Sequence, residues 1–182
     1  MSDIVKIQPK PPMSTAKKAG IAAALAAAAV ASTPFIAKWE GKRNYGYLDI
    51  VKVPTYCYGG TGPEAVVGKY YSDAACKEQL VQDAIEHAKP LQNCITRELP
   101  GPVFQSVISL SFNMGSAGVC KTAAYRPSKP ISGQGTVWLL NNGYLVEGCK
   151  SLGRYVYAKG KVVNGLVNRR KDEIKLCLSG VE

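Results

Sequence analysis

The spacing of apolar and polar residues changes along the chain, and each pattern predicts a different part of the fold. Residues 19–37 form an uninterrupted run without charge. Residues 44–71 hold strand-forming Tyr and Val separated by Pro and Gly, which predicts short strands and turns. After Ser72 the apolar residues recur at helical spacing. The predicted helices cover 72–90, 102–112, a short segment reaching Tyr125, 136–142, 144–152 and 164–178, with a Pro-, Ser- and Gly-rich loop at 126–135.

These elements predict a mainly helical α+β fold with two lobes. A small β-sheet lobe comes first and a helical lobe follows, and an apolar helix precedes both. A cleft between two lobes is a usual place for a ligand. The chain therefore divides into a basic tail (1–18), an apolar segment (19–37) and a globular domain (38–182).

The apolar segment is long enough to cross a hydrocarbon core of about 30 Å. Lysines precede it, which predicts that the N-terminus stays in the cytoplasm and the domain lies outside. Most of the segment is alanine, which holds a bilayer weakly. Three interpretations compete: a stable anchor, an anchor that can leave the bilayer, and a signal peptide cleaved at Ala29-Val30-Ala31. A soluble Ala-rich helix is a fourth, which the flanking lysines and the uncharged run disfavour.

Two predictions overlap within this segment. Thr33 followed by Pro34 is a typical helix start, with a capping hydroxyl and Pro at the first helical position. A short helix would then run to Glu40 and end at Gly41. A membrane span and this short helix need the same residues, so the sequence predicts an element with two alternative states.

The net charge of +10 favours a polyanionic partner. No helix-turn-helix, zinc-finger or aromatic RNA-binding pattern accompanies the charge, so we expect anionic lipid or an acidic cell-wall polymer and no nucleic acid. Arg169, Arg170 and Lys171 are candidates for docking to such a partner. The alternative is an ordinary helix face in which these cations pair with Asp172 or Glu173.

The six cysteines are dispersed, none in a C-x-x-C pair, and the chain has a single histidine. This composition predicts neither a metal site nor a cofactor. An even number of cysteines behind an exporting segment predicts disulfides in an oxidising compartment. Six cysteines allow fifteen pairings, and the sequence leaves all of them open.

Carboxylates are the best candidates for chemistry. Glu40, Asp49 and Thr55 follow one another with the spacing E-x8-D-x5-T. A Glu in an apolar setting can keep its proton and act as a general acid. A carboxylate and a hydroxyl can hold a water, as hydrolysis of a glycosidic bond requires. Spacing alone is also compatible with a solvated Glu, a turn Asp and a strand Thr.

Three stretches carry a resemblance to a known family: WEGKRNYGYLDIVKVPTYCYGGTG, SFNMGSAGVC and GLVNRRKDEIKLCL. They resemble phage-type lysozymes, the endolysin muramidases, over residues 38–180. The resemblance implies a monomeric, cofactor-free enzyme that cleaves the β-1,4 bond between N-acetylmuramic acid and N-acetylglucosamine in peptidoglycan. It implies Glu40 as the acid, with Asp49 and Thr55 orienting water in an inverting reaction. Many members carry His where this chain has Gly60, so a stabilising salt bridge is expected to be missing.

The N-terminal segment resembles that of signal-arrest-release endolysins. This implies export by the host secretion machinery, tethering to the outer face of the bacterial inner membrane, and release into the periplasm after a holin-type protein depolarises that membrane. Two alternatives remain. A lytic transglycosylase would need only the Glu and would form an anhydro sugar, and a non-catalytic, membrane-tethered wall-binding protein would not need Glu40 at all.

Overall fold

The computed structural model describes residues 13–181, so most of the predicted basic tail (1–18) lies outside the described residues. Seven α-helices and two small antiparallel sheets make up the described chain. The elements in chain order are α1 (Thr15–Glu40), β1 (Arg43–Leu48), β2 (Pro54–Cys57), α2 (Asp73–Ala88), α3 (Gly101–Met114), α4 (Ser116–Lys121), α5 (Thr136–Asn141), α6 (Leu145–Ser151), β3 (Tyr157–Ala158), β4 (Lys161–Val162) and α7 (Asn164–Leu178). The predicted α+β, mainly helical fold is confirmed.

Helix α1 is one continuous helix of 26 residues, long and apolar enough to cross a membrane by length and composition. It packs against α2 and α3, and its inner face is buried. That face includes Ile21, Leu25, Ala28, Ala29 and Ile36. Its outer face carries exposed alanines and Val30. The segment that could enter a bilayer is therefore also a core element of the domain.

The prediction that a separate helix starts at Thr33-Pro34 is wrong. Pro34 lies inside α1, and it has no N–H to donate to the carbonyl of Val30 four residues earlier. The hydroxyl of Thr33 donates to that same carbonyl oxygen at 2.8 Å. The orphaned acceptor is satisfied within the helix, which lets α1 pass through Pro34 and end at Glu40. Gly41 then leaves the helix with a φ of 69°.

The helical lobe encloses the main core. Helix α3 lies at its centre, contacting α1, α2, α4 and α7, and nearly all of its apolar side chains are buried. The predicted helices at 136–142, 144–152 and 164–178 correspond closely to α5, α6 and α7.

The β lobe is a two-stranded hairpin, in which Tyr47 pairs with Thr55 and Leu48 with Pro54. Gly60 bridges to Tyr56, in the turn that the glycine pair predicts. A Cβ at Gly60 would lie 2.8 Å from the Gln79 amide and 2.9 Å from the Tyr56 ring, so these side chains close the space beside it. The hairpin β3–β4 was not predicted from the sequence.

All six cysteines form disulfides: Cys57–Cys76, Cys94–Cys120 and Cys149–Cys177. The first joins β2 to α2, and the last joins α6 to α7. The structure therefore selects one of the fifteen pairings that the sequence left open.

Candidate active site

Glu40 is the last residue of α1, and an arginine from the other end of the chain holds it. The Nη1 of Arg169 donates to Glu40 Oε1 at 2.7 Å across 129 residues. The Arg169 side chain is only 4% exposed, whereas that of Glu40 is 24% exposed. Glu40 therefore does not lie in the purely apolar setting that we expected. It lies at the edge of a buried charged cluster, with one side open to solvent.

That cluster consists of Arg169, Arg170 and Glu173 on α7, with Ser109 on α3. Glu173 is fully buried, and it accepts hydrogen bonds from Ser109 Oγ at 2.6 Å and from Arg169 Nε at 3.2 Å. Arg170 pairs with the same carboxylate at 2.9 Å. The expectation that Arg169 and Arg170 dock to an external polyanion is wrong, because both are buried and paired within the domain. Lys171 alone of the three is exposed.

Burial dominates the electrostatics of this cluster. It raises the pKa of Glu173, while Arg170, the Ser109 hydroxyl and Arg169 each oppose the rise. Burial also lowers the pKa of Arg170, which Glu173 opposes. Removing one partner from such a buried pair leaves an uncompensated charge and typically costs about 3–5 kcal/mol. The buried cluster thus holds Glu40, the partly exposed residue at its edge, through Arg169 Nη1.

Asp49 and Thr55 are held by short-range bonds within the β1–β2 hairpin. Asp49 Oδ1 accepts from the backbone N–H groups of Val51 and Val53, each at 2.8 Å. The Thr55 hydroxyl donates to the Val53 carbonyl at 2.9 Å. Val53 therefore links both side chains. The disulfide at Cys57, two residues beyond Thr55, ties this strand to α2.

The sequence-predicted residues thus form a pair and a separate third member. Asp49 and Thr55 share one turn, while Glu40 joins β1 through only Gly41 and Lys42. Within residues 13–181, Glu40 exchanges no hydrogen bond with Asp49 or Thr55, and Asp49 Oδ2 accepts none. Free acceptor capacity on Asp49 Oδ2 and the Thr55 oxygen is what a bound water would need.

Sequence reasoning missed the role of Arg169, Glu173 and Ser109. Two features could have indicated it. Arg169 and Glu173 stand at i and i+4, where helical side chains meet. Ser106 and Ser109 interrupt the otherwise apolar face of a central helix, and both hydroxyls bond to Glu173. A buried polar group needs such a partner.

Trp39 adds an unsatisfied group beside Glu40. Its Nε1 is buried and has no hydrogen-bond partner within the described chain. The Nζ of Lys38 lies 5.2 Å from the Trp39 ring centroid and pairs with Asp172 of α7 at 2.5 Å. Two adjacent ion pairs, Lys38–Asp172 and Glu40–Arg169, therefore connect the end of α1 to α7.

Among residues 13–181, no group of three or more His, Cys, Asp or Glu side chains could hold a metal ion.

The family model for phage lysozyme matches residues 37–173, which covers Glu40, the β hairpin and the α7 cluster. The chain belongs to the phage lysozyme family. It is 33% identical over 141 residues to a SAR-endolysin of bacteriophage PS119, which covers 78% of this chain and 77% of that protein. It is 32% identical over 141 residues to the SAR-endolysin of enterobacteria phage P21, with 78% of each chain covered.

Solved structures of other phage lysozymes share the fold. The active form of the P1 phage endolysin superposes with a TM-score of 0.68 at 23% identity, covering 84% of this chain and 85% of that one. P22 lysozyme superposes with a TM-score of 0.69 at 20% identity, covering 81% and 95%. The predicted resemblance to phage-type lysozymes with an apolar N-terminal helix is confirmed.

Proposed function

We propose that this phage lysozyme hydrolyses the β-1,4 bond between N-acetylmuramic acid and N-acetylglucosamine. Its family supports the coarser statement, an endolysin that degrades peptidoglycan. The observation that carries the finer one is the mounting of a solvent-facing Glu40 on Arg169, with Asp49 and Thr55 together on the adjoining hairpin.

In this mechanism Glu40 is the general acid. Arg169 bonds to Oε1, so Oε2 is the oxygen that is free to give a proton to the glycosidic oxygen as the bond to the anomeric carbon breaks. The developing positive charge on the sugar is attacked by a water on the opposite face. Asp49 Oδ2 accepts a proton from that water, and the Thr55 oxygen fixes its orientation. The anomeric configuration inverts. Before the next turnover Glu40 must regain a proton from solvent and Asp49 must release one to it.

Helix α1 supports a second part of the proposal, which is control by the membrane. With residues 19–37 in a bilayer, Ile21, Leu25 and Ile36 cannot fill the core between α2 and α3. Glu40 would then lie at the membrane surface, away from Arg169. The tethered enzyme is therefore inactive, and release allows α1 to pack and Glu40 to bind its arginine. The competing states are the same helix in lipid and in protein.

The same proposal includes the cellular location of the protein and its partners there. The host secretion machinery exports the domain, the inner membrane holds it as a single-pass protein, and a holin-type depolariser triggers release into the periplasm. There the monomer meets its substrate. The buried face of α1 also disfavours cleavage after Ala31, since a cleaved chain would lack the core contacts of Ile21 and Leu25.

Two alternatives make different predictions. A lytic transglycosylase produces anhydro sugar ends and needs no attacking water, so the paired Asp49 and Thr55 favour hydrolysis over it. A wall-binding protein without catalysis would release no fragments, and the buried cluster that presents Glu40 would have no purpose.

The test is mass spectrometry of fragments from purified peptidoglycan digested by the detergent-extracted full chain. We expect ordinary reducing ends, with the rate falling by about 10²–10⁴ in Glu40→Gln. Gln keeps an acceptor for Arg169 but cannot donate an acidic proton. Glu147→Gln, which changes an exposed Glu with no side-chain bond in the described structure, is the matched control. Anhydro ends would move the assignment to a transglycosylase, and full activity of Glu40→Gln would refute the role of Glu40.

A further inference from the structure

The turn that joins β1 to β2 is apolar and exposed. Turn residues are usually Gly, Pro, Asn, Asp or Ser, but four of the six residues in LDIVKV (48–53) are aliphatic. Ile50 is fully exposed, Val51 is 70% exposed, and Leu48 and Val53 are exposed as well. We call residues 48–53 the apolar tip. Single exposed apolar residues are ordinary, whereas apolar residues gathered at one projection mark a contact site.

Backbone bonds hold the apolar tip in one shape. The Lys52 N–H donates to the Asp49 carbonyl, and the Asp49 N–H donates to the Val53 carbonyl, both at 3.0 Å. Asp49 Oδ1 also accepts from the N–H groups of Val51 and Val53. The Ile50 side chain is therefore held out on a fixed turn, and it does not fold back onto the β lobe. None of these bonds involves a residue of α1.

The charged side chains near the apolar tip favour an anionic surface. Residues 41–53 contain Lys42, Arg43 and Lys52 against Asp49 alone. Lys42 pairs with a carboxylate of α2, but Lys52 forms no ion pair within residues 13–181. The unpaired cation thus lies in the turn itself, beside the most exposed aliphatic side chains.

Tyrosines lie behind the apolar tip along β1. Tyr45 and Tyr70 are both exposed, and their rings pack edge to face with centroids 5.2 Å apart. Tyr47 follows Tyr45 on the same face of the strand, with the Arg43 guanidinium 4.3 Å from its ring centroid. Tyrosine rings are enriched at the level of the lipid headgroups in membrane proteins. The order of aliphatic tip, cation and tyrosines is that of a segment that enters a bilayer by one turn.

The apolar tip is also close along the chain to the segment that is able to cross a membrane. Only Gly41 and Lys42 separate α1 from β1, and the six residues of β1 span about 20 Å. With α1 in a bilayer and Glu40 at its surface, the hairpin is short enough for its tip to reach the same surface.

Other occupants fit the apolar tip less well. A stable protein partner needs about 800 Å² on each side of the interface, which is more than four aliphatic side chains offer. A glycan presents hydroxyl groups, and aliphatic side chains cannot hydrogen-bond to them. A lipid surface needs neither a large area nor polar partners, since binding grows with each apolar group inserted and each cation near the phosphates.

Building on the proposed control by the membrane, we infer that the apolar tip inserts into the headgroup region of an anionic phospholipid bilayer. Ile50 and Val51 enter the apolar boundary, Lys52 lies among the lipid phosphates, and Tyr45 and Tyr70 contact the headgroups. The protein therefore has a second membrane contact, which belongs to the β lobe and is separate from α1.

The test places one fluorescent probe on the apolar tip and another on the opposite lobe. The variants are Ile50→Cys and Val162→Cys, the second at an exposed apolar residue of β4. All six native cysteines are in disulfides, so each full-length variant has a single free thiol to label. Each is mixed with phosphatidylglycerol–phosphatidylcholine vesicles that contain a quencher-bearing lipid.

We expect the vesicles to quench the probe at residue 50 several-fold more than the probe at residue 162. The contribution of α1 is the same in both variants, so the difference reports the tip. Equal quenching of the two probes, or no quenching at residue 50, would overturn the inference.

Partition into the same vesicles tests the native side chains without a probe. Ile50→Ser with Val51→Ser should lower the partition coefficient by about 10-fold. Lys52→Asn tolerates the φ of 62° at that residue. It should lower the coefficient by about 5-fold on anionic vesicles and leave it unchanged on phosphatidylcholine alone. The control is Val146→Ser with Val162→Ser, two exposed valines of the helical lobe, which should match the wild type. Tip variants that partition like the wild type would contradict the inference.

Two further outcomes would assign the apolar tip to another occupant and overturn the inference. A dimer in light scattering without vesicles, lost in the double serine variant, would mean that a second copy covers the tip. A fluorescence change at residue 50 with peptidoglycan and none with vesicles would mean that glycan covers it. The proposed hydrolysis is measured separately, because absence of peptidoglycan fragments from the wild type would refute it whatever the probes report.

Discussion

The residues proposed for catalysis are held in place in two different ways. Asp49 and Thr55 are fixed by bonds that reach no more than four residues along the chain, all within one hairpin. Glu40 is fixed by Arg169, 129 residues away, and by the packing of all of α1 against α2 and α3. The two residues proposed to bind water are held locally, whereas the placement of the proposed acid depends on the tertiary structure.

Because of this difference, Asp49 and Thr55 do not depend directly on α1, whereas Glu40 does. The bonds that hold Asp49 and Thr55, and the disulfide from the hairpin to α2, do not involve any residue of α1. Glu40 reaches Arg169 only when α1 lies in the core. An enzyme controlled through α1 thus needs to displace a single catalytic residue, and the rest of its site can be ready beforehand.

The variant with the largest expected effect is Arg169→Met, tested in the purified protein. The change leaves Glu173 with fewer partners and Glu40 with none, so we expect the free energy of unfolding to fall by about 3–5 kcal/mol. Loss of orientation at Glu40 should lower kcat/KM by about 100-fold. Denaturant unfolding and peptidoglycan turnover measure the two effects.

The neighbouring ion pair provides the control. Lys38→Met removes the bond to Asp172, but the Lys38 side chain is 63% exposed, so the expected cost is below about 1 kcal/mol. Similar costs for both variants would mean that burial of the α7 cluster does not distinguish Arg169. Unchanged activity in Arg169→Met would mean that Glu40 needs no mount.

The placement of Asp49 and Thr55 in one strand-and-turn stretch could be predicted from the sequence, whereas the long-range partner of Glu40 could not. Asp49 and Thr55 fall in a short stretch of turn and strand residues, where their spacing sets their geometry. Arg169 and Arg170 looked like surface cations, because no local pattern shows that both arginines and the Ser109 hydroxyl meet the buried Glu173 carboxylate. Thr33-Pro34 misled for a related reason. The same pair that starts a helix can also continue one when the hydroxyl caps the carbonyl that proline leaves free.

A second test, with a smaller expected effect, uses substitutions in α1 that should stabilise its membrane-inserted state without disturbing its packing in the domain. Ala23, Ala26 and Ala27 are exposed when α1 is packed in the domain, so leucines there cause no clash in the core. In a bilayer each leucine contributes about 0.3–0.6 kcal/mol toward insertion. We therefore expect the triple leucine variant to stay in the membrane fraction after depolarisation, when the wild type enters the periplasm.

Ala74→Leu, an exposed alanine on α2 outside the span, is its control. The purified triple variant should remain fully active in detergent, because Glu40 and its mount are untouched. Release equal to that of the wild type would contradict control through the bilayer. Activity lost even in detergent would show instead that the exposed face of α1 matters to the folded enzyme.

The smallest expected effect concerns Asp83 on α2, whose carboxylate pairs with no arginine among the described residues. Burial raises the pKa of Asp83, with Gln79 and His87 opposing the shift and Glu86 adding to it. Its neighbour Gln79 donates a hydrogen bond to it and also closes the space beside Gly60. Glu173 has two guanidinium partners, whereas Asp83 has an amide. Beside Gly60 the described structure therefore has an amide–carboxylate hydrogen bond between Gln79 and Asp83.

A raised pKa in the folded state means that Asp83 favours folding at low pH, and that this contribution is lost as pH rises through the folded pKa. Asp83→Asn removes the titration and keeps an acceptor for Gln79. We expect it to stabilise the protein at pH 7 by about 0.5 kcal/mol or less, and to match the wild type at acid pH, where Asp83 is protonated.

Asp73 gives the opposite sign, because its hydrogen bond from Lys42 lowers its pKa and stabilises the fold only above its ordinary titration range. Asp73→Asn should therefore weaken the protein at pH 7 and not at low pH. Unfolding curves for both variants across this range check the contrast, and a parallel pH dependence of the two would show that folding lowers the pKa of Asp83 instead of raising it.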